Sequence, residues 1–571
     1  MSQNTSQLIG IFLLSLLITT YLQSFHQPTP LKKIPTPITK IEQIKKLLLS
    51  EQAPSNKEVI TLENDDIIIT INPQGGSVQE VILKKHKNQN KQPLTLLNKH
   101  NSKITLLLPT QEGVQNTKDI LFVPQQTTGQ KLILTHTDES NTGPQITYTY
   151  MLPQKGHQLQ LQIETNELNN ETNTNAQIIW YQQLTKFEKD TPLSEKHCYL
   201  QYHQANNKTI YIGTKSKEEK TIQQPISWAS NKQRFFTKAL IAPPNTPFSS
   251  ITYTTQPNTK KDPNNIMETA LELHIPLKAL QNKDTLTFYF GPNTLTDLAG
   301  VAPKFSDNLY LGIPLIKPIN THLIAPAIEQ LYLYTGNYIW ALIILIILLK
   351  LLGIYFSYQS YITNIKKSAL KPLVEKMKEK YGDDAGGKQQ AQLAELHLYS
   401  EMGIMSPFSK SNIGAGVAQI VLFVSMINFV PSFIGFRQVP FLWIKDIAGY
   451  DDFIKLPFYI WPLGNHISPL AILMTASFTI PRFFSKQEKL STEKQILHYT
   501  FPIILLSVFN NFAAAFCIYR ITADMIDQLL KLTFLVFVSK DKHIASMQLD
   551  KKNITLVTQP RAILRKKRNK H

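Results

Sequence analysis

The run IWALIILIILLKLLGIYF, residues 339–356, holds seventeen uncharged residues and one lysine, Lys350. So long an apolar stretch is either a membrane span or the centre of a large core, and further apolar runs crowd the chain as far as residue 537. Spans are expected at 339–361, 413–434, 467–484, 499–512 and 516–537, the last two joined by a short turn at 513–515. A sixth, marginal span is expected at 8–22. It reads as an uncleaved anchor rather than a signal peptide, because no cationic segment precedes it and LQSFHQ offers no small-x-small cleavage site.

The rest of the chain has a different period. After the anchor (1–24), the proline-spaced PTPLKKIPTPITK predicts an extended linker over 25–57. From 58 to 300, strict alternation recurs in DIIITIN, ITYTYML, HQLQLQIET, TIYIG and DTLTFYF, with QGG, TGP and GP as turn signals. Many short strands without helical periods between them predict an antiparallel all-β sandwich or barrel. An amphipathic connection (301–337) leads to the helical region (338–538), and a basic tail follows (539–571). The two cysteines, Cys198 and Cys517, provide no disulfide framework. No His/Cys spacing suits a metal, and the scattered carboxylates of the β domain read as a solvated face. No cofactor and no enzymatic reaction are expected.

Charge sets the topology. Lysine and arginine number 59 against 41 acidic residues, a net +18. Eight lysines fall in 363–412, three in SKQEKLSTEK and ten Lys+Arg in 539–571. Positive-inside counting makes these three segments cytoplasmic and the β domain and the loop 435–465 periplasmic. Lys32 and Lys33 oppose that orientation but are outnumbered. Within the first basic segment, Leu370, Leu373, Val374, Met377 and Tyr381 recur at helical spacing, and QQAQLAELHLYSEM starts a second helix, so a charged helical hairpin is expected over 364–405. Its turn, GDDAGGK, resembles a phosphate-binding loop. Gln389 replaces the Ser/Thr that would hold magnesium, and a helix precedes it where a strand is required, which excludes a nucleotide-driven motor of that type.

Several of these segments together carry a resemblance. The Lys350 run, KPLVEKMKEKYGDD, the loop FRQVPFLWIKDI and GNHISPLAILMT resemble the YidC/Oxa/Alb family of membrane protein insertases, most closely the Bacteroidetes-type form. VITLENDDIIITINPQGGSVQEVILKKHK, SNKQRFFTKALI and LTFYFGP resemble that family's periplasmic β-supersandwich. The resemblance implies a multi-domain membrane protein of the bacterial inner membrane: an N-terminal anchor, a periplasmic supersandwich and a five-helix transmembrane core. It further implies insertion and folding of nascent membrane proteins, with the Sec translocon and the ribosome as partners. In that family a groove open to cytoplasm and lipid holds a cation on the second helix, and Lys350 falls there. Gln419 and Tyr519 match two further family positions. The chain departs from the family pattern at SPFSKSNIGAGVAQ, at Ile420 and Val421, at Ala513–Ala515 and at Arg520.

Two alternatives stay open at this level. Lys350 either faces a hydrated groove or snorkels to the headgroups. Arg520, with Asp524 four and Asp527 seven residues on, either forms an internal ion pair or lines the groove opposite Lys350. A transporter or channel using Lys350, Arg520 and Asp524 is the rival function. A sugar-epimerising β domain is a second rival, and it requires a carboxylate with a nearby histidine. The tail PRAILRKKRNKH suits anionic phospholipids or ribosomal RNA alike. Trp340, Trp443 and Trp461 read as interface anchors, and Asn510 and Asn511 as interfacial or helix-bonding amides.

Overall fold

The computed structural model describes residues 40–49, 58–110, 113–136, 146–165, 175–189, 191–258, 262, 264–381, 385–401, 404, 410–460, 463–483 and 492–538. The expected anchor at 8–22, the tail from 539, Trp461 and most of the hairpin turn lie outside them. The chain divides into two compact units, Met1–Tyr310 with Ser432–Ile434, and Leu311–Pro431 with Gly435–His571.

The first unit is built from antiparallel sheets of nine, six and four strands. Alternation places the strands. Gln158–Thr165 buries every leucine and its isoleucine while the intervening polar residues stay half-exposed. The long strand Asn175–Thr185 lies inside the six-stranded sheet, pairing with Asn265–Pro276 on one side and Ser102–Thr110 on the other. Trp180 of that strand meets Phe288 and Phe290 of the nine-stranded sheet edge-to-face, at ring separations of 6.0 and 6.4 Å. The two sheets are therefore packed through an aromatic core, as in a sandwich. The QGG turn forms as expected. Gly76 has φ +60°, and a Cβ there would lie 2.9 Å from the Tyr148 ring, so both conformation and space require glycine.

The linker expectation needs correcting at its end. Lys40–Leu49 is an α-helix, α1, where an extended chain was expected. Its Ile41 and Ile44 bury against Ile179, Tyr181 and Ala270, with Leu48 packed beside them. The spacing of three and four residues makes one apolar stripe, and the face of the six-stranded sheet that turns away from Trp180 receives it. The prolines end at Pro37 and so do not reach this segment.

The second unit is helical. Its main helices are α2 (Ala325–Thr335), α3 (Tyr338–Leu352), α4 (Ile354–Glu379), α5 (Ala385–Glu401), α6 (Lys410–Ser432), α7 (Pro469–Phe483), α8 (Thr492–Phe509) and α9 (Ala514–Phe537). Asn337 caps α3 by accepting from the Ile339 amide at 2.8 Å. The span expected as one helix over 339–361 is broken at Gly353, and α3 and α4 meet at 56°. Gly353, at φ −87° and ψ 0°, leaves the helical well, and its amide is shared between Leu349 and Lys350 carbonyls. Among the described residues no single helix is long and apolar enough to cross a membrane, whereas the bent α3–α4 pair passes that test. The charges of α9 and the polar first turns of α6 and α8 explain the difference. The cytoplasmic-type hairpin forms as its spacing predicts: Val374 and Met377 of α4 bury against Leu398 of α5, with Leu373, Tyr381 and Tyr399 around them.

The first unit contains an electrostatic test of its own packing. Lys232 and Lys238 are buried, and the Lys232 ammonium donates to the His197 carbonyl at 2.9 Å. Desolvation pushes Lys232 down to about 7 and Lys238 down to about 8, from an ordinary 10.5. The unfolded chain then binds more protons than the folded one between those values and 10.5, so these lysines make stability rise with pH across that window. The unfolding temperature of the full chain, followed by tryptophan fluorescence, is expected to climb between pH 7 and 9, and Lys238→Met should flatten the climb; an unchanged slope would contradict the burial argument.

Candidate functional site

Lys350 occupies the last turn of α3, three residues before the break, where the helix dipole favours a cation. Its ammonium donates to the Asp527 carboxylate at 2.7 Å, with side-chain exposures of 13% for the lysine and 25% for the aspartate. The ammonium is therefore paired within the helical unit. One helical turn away on α9, Arg520 pairs with Asp524, and both side chains are 9% exposed. Ser477 of α7 donates to the other oxygen of Asp524 at 2.7 Å, and the Arg520 guanidinium lies over the Phe478 ring at 4.3 Å. Asp524 is within electrostatic reach of both Lys350 and Asp527. Helices α3, α7 and α9 thus share a cluster of two cations and two anions. Each charge has a partner, the condition under which ionised groups are tolerated among apolar helices. The Arg520 Nε is buried and has no hydrogen-bond partner among the described residues.

Of the five expected groove residues, Lys350, Arg520 and Asp524 come together, with Arg520 paired internally to Asp524 and Asp524 in electrostatic reach of Lys350. Tyr519 is buried, with its ring 5.6 Å from that of Phe516, and it joins the cluster through a side-chain hydrogen bond with Arg520, within electrostatic reach of Asp524 and Asp527. Gln419 is exposed on α6, and among the described residues no hydrogen bond or ion pair joins it to the cluster. Sequence reasoning placed Asp527 on the Arg520 face without identifying it as the partner of Lys350. The signal available was the i, i+7 spacing, which puts Arg520, Asp524 and Asp527 on one stripe of α9.

The loop motif between α6 and α7 supports this cluster from one end. Asp446 accepts from the Gln438 and Ala448 amides at 2.9 and 3.0 Å, fixing the loop that carries RQVPFLWIKD. Carbonyls of that loop then take the first amides of α9: Ala514 N–H bonds to Gly449 O at 2.7 Å and Ala515 N–H to Ile447 O at 2.9 Å. These bonds replace the side-chain cap that Ala513 cannot supply. The turn expected at 513–515 accordingly falls at 510–513, between the end of α8 at Phe509 and the start of α9 at Ala514. Asn510 is fully buried and clamps the next segment, donating to Leu463 O and His466 O at 2.8 Å each and accepting from the Ser468 amide at 2.8 Å. Its bonds close the loop onto the start of α7.

In the first unit, a histidine and a carboxylate do meet: His157 Nδ1 lies 3.2 Å from Asp297 Oδ1. Asp297 also accepts from Thr294, whose hydroxyl caps the short helix Leu295–Leu298, and the pair ties that helix to the strand beginning at Gln158. Its bonds are those of a structural tie.

A helical unit with paired internal charges is thus joined to an all-β domain. Residues 330–539 match the family model of the 60Kd inner membrane protein, and residues 59–323 match that of the YidC periplasmic domain. A membrane protein insertase YidC of Amoebophilus asiaticus is 32% identical over 566 residues, covering 94% of this chain and 93% of that protein. One from Cytophaga hutchinsonii is 27% identical, covering 91% and 89%. The chain belongs to the YidC family of membrane protein insertases, whose members act in the inner membrane and are not enzymes. Solved structures of low overall similarity include an active YidC insertase (12% identity, TM-score 0.30, 86% of this chain and 97% of that one) and a galactose mutarotase related enzyme from Lactobacillus acidophilus (11%, 0.28, 41% and 97%).

The Lys350–Asp527 contact is expected to behave as a partly buried ion pair. Asp527→Asn should destabilise the helical unit by about 2 kcal/mol, less than the roughly 3–5 of a fully buried pair, because a lysine is left unpaired. The double variant Lys350→Leu/Asp527→Leu should recover most of that loss. Thermal unfolding in detergent checks both; a double variant as unstable as the single would contradict the pairing.

Proposed function

We propose that the helical unit inserts nascent membrane proteins through a hydrophilic groove whose cation is Lys350, held in reserve by Asp527. The observation that carries this reading is the 2.7 Å contact itself. A lysine already paired with a carboxylate can exchange it for another carboxylate at little net cost. Two unit charges about 4 Å apart attract by about 4 kcal/mol at the effective dielectric of a protein boundary, so a client's acidic flank meets a matched but displaceable competitor.

The groove lowers the barrier to moving polar flanks across hydrocarbon by shortening the dry path. Transfer then proceeds from partitioning of the client's apolar helix into lipid, at roughly 0.8 kcal/mol per buried methylene, with the membrane potential assisting and no nucleotide consumed. In this reading the core has five membrane-crossing elements: the bent α3–α4 pair, α6, α7, α8 and α9. The 8–22 anchor is a sixth, the β domain is periplasmic and the C-terminus cytoplasmic. The hairpin α4–α5, packed through Leu373, Val374 and Met377, and the basic tail face the ribosome and anionic phospholipids, and the Sec translocon is a lateral partner. A transporter of the inverted-repeat type would present paired broken helices in two halves; one bent pair occurs among the described residues.

The stable double variant separates folding from function. In proteoliposomes, Lys350→Arg should insert a one-span client with an acidic translocated flank as the parent does, whereas Lys350→Leu/Asp527→Leu should insert it about tenfold less well, the equivalent of about 1.4 kcal/mol, and should handle a neutral-flank client normally. Equal insertion of both clients by the double variant would remove the groove cation from the mechanism.

A further inference from the structure

The segment between the capping loop and α7 holds a two-stranded hairpin, Ile454–Ile460 with Gly464–Ile467, whose first strand exposes large apolar and aromatic side chains. Phe453 is 65% exposed, Ile454 42%, Phe458 60% and Tyr459 71%. Trp443, 40% exposed, lays its ring against Phe453 at 5.9 Å and donates its indole N–H to Asp451. A two-stranded ribbon in water is marginal, and exposing large aromatics makes it worse. Its base is nevertheless held firmly. Asp451 accepts from the Leu470 amide at the start of α7 at 3.1 Å, Tyr450 stacks on His466 at 4.1 Å, and Asn510 ties down Leu463 and His466. A rigid base carrying an apolar ribbon of seven residues, about 20 Å long, is built to present that ribbon to something.

We infer that this hairpin dips into the outer, periplasmic-side interface of the bilayer, with phospholipid as its partner. Two observations select lipid. Exposed apolar residues recur on α7, which follows the hairpin directly: Ile472 and Leu473 are 43% and 50% exposed and Ile480 is 50% exposed further along. In an inner-membrane family that stripe is lipid-facing. Pro457 sits in the middle of the outer strand, and the ladder is irregular between Lys455 and Ile460, so the edge cannot be extended by a partner's strand. Aromatic rings with polar tips, such as Tyr459 and Trp443, suit the headgroup level, and Lys455, 74% exposed, keeps its ammonium at the rim. The hairpin would act as a float that fixes the depth of α7, and with it Ser477, which donates to Asp524.

The test uses the full chain in nanodiscs of phosphatidylethanolamine and phosphatidylglycerol. Cys198 and Cys517 are buried, so a polarity-sensitive fluorophore attached at Tyr459→Cys reports that position alone. Val114→Cys, on an exposed strand of the β unit, and Leu532→Cys, on the exposed apolar stripe of α9, serve as references. Iodide quenching at 459 should be at least about threefold weaker than at 114, and quenching by headgroup-level nitroxide lipid within about twofold of that at 532, as for an interfacial residue. Iodide quenching equal to that at 114 would place the hairpin in water and overturn the inference. Protection from iodide without nitroxide quenching would mean that protein covers it, with the same consequence. A label at 532 that nitroxide lipid fails to quench would sink the membrane placement on which the inference rests.

Discussion

The contact between Lys350 and Asp527 is the constraint around which the helical unit is arranged. An unpaired ammonium among apolar helices costs several kcal/mol, so α9 must pass close to the last turn of α3 with a carboxylate in reach. Arg520 and Asp524 repeat the condition one turn earlier on α9, and Ser477 draws α7 into the same cluster. Charge neutrality within the cluster therefore sets which helices are neighbours. Such a cluster stabilises little compared with well-packed apolar side chains, which is consistent with a functional rather than a structural reason for retaining it.

Everything around the cluster serves to hold α9 at the right height. The loop at 437–449 is rigid because Asp446 accepts two of its own backbone amides, and it substitutes its carbonyls for a cap at the α9 N-terminus. Asn510, with three side-chain hydrogen bonds to Leu463, His466 and Ser468, links the end of α8 to the start of α7. The helix break at Gly353 places Lys350 at a C-terminus, where the exposed carbonyls and the dipole add to the aspartate's attraction.

How much of this was readable in the sequence depends on the range of the interaction. Strands such as Gln158–Thr165 and the hairpin core of Val374 and Met377 were legible because a period of two or of three to four residues records which face is buried. The helix Lys40–Leu49 was missed because ten residues beside a proline-rich stretch give little periodic signal, and its partner, the outward face of a sheet, is assembled from residues more than a hundred positions away. The break at Gly353 was hidden by apolar residues that continue on both sides of it. Asp527 could be put on a stripe with Arg520, but its pairing with a lysine 177 positions earlier is tertiary and leaves no local trace. Gln419 was assigned to the groove on resemblance alone, and its exposed position on α6 does not join the cluster.

The central claim is that a client's polar flank enters beside Lys350 while its apolar helix leaves toward lipid. The most direct measurement places a photoreactive residue at Ile347, one turn before Lys350 and 39% exposed, and a second at Ile503 on α8, 64% exposed. Both are irradiated in membranes with a ribosome-bound client stalled halfway through insertion. The account predicts that position 347 captures the client's translocated flank, that capture weakens when the flank's acidic residues are neutralised, and that position 503 captures only the apolar helix. Capture of the flank from 503 and not from 347, or capture at 347 indifferent to flank charge, would contradict it.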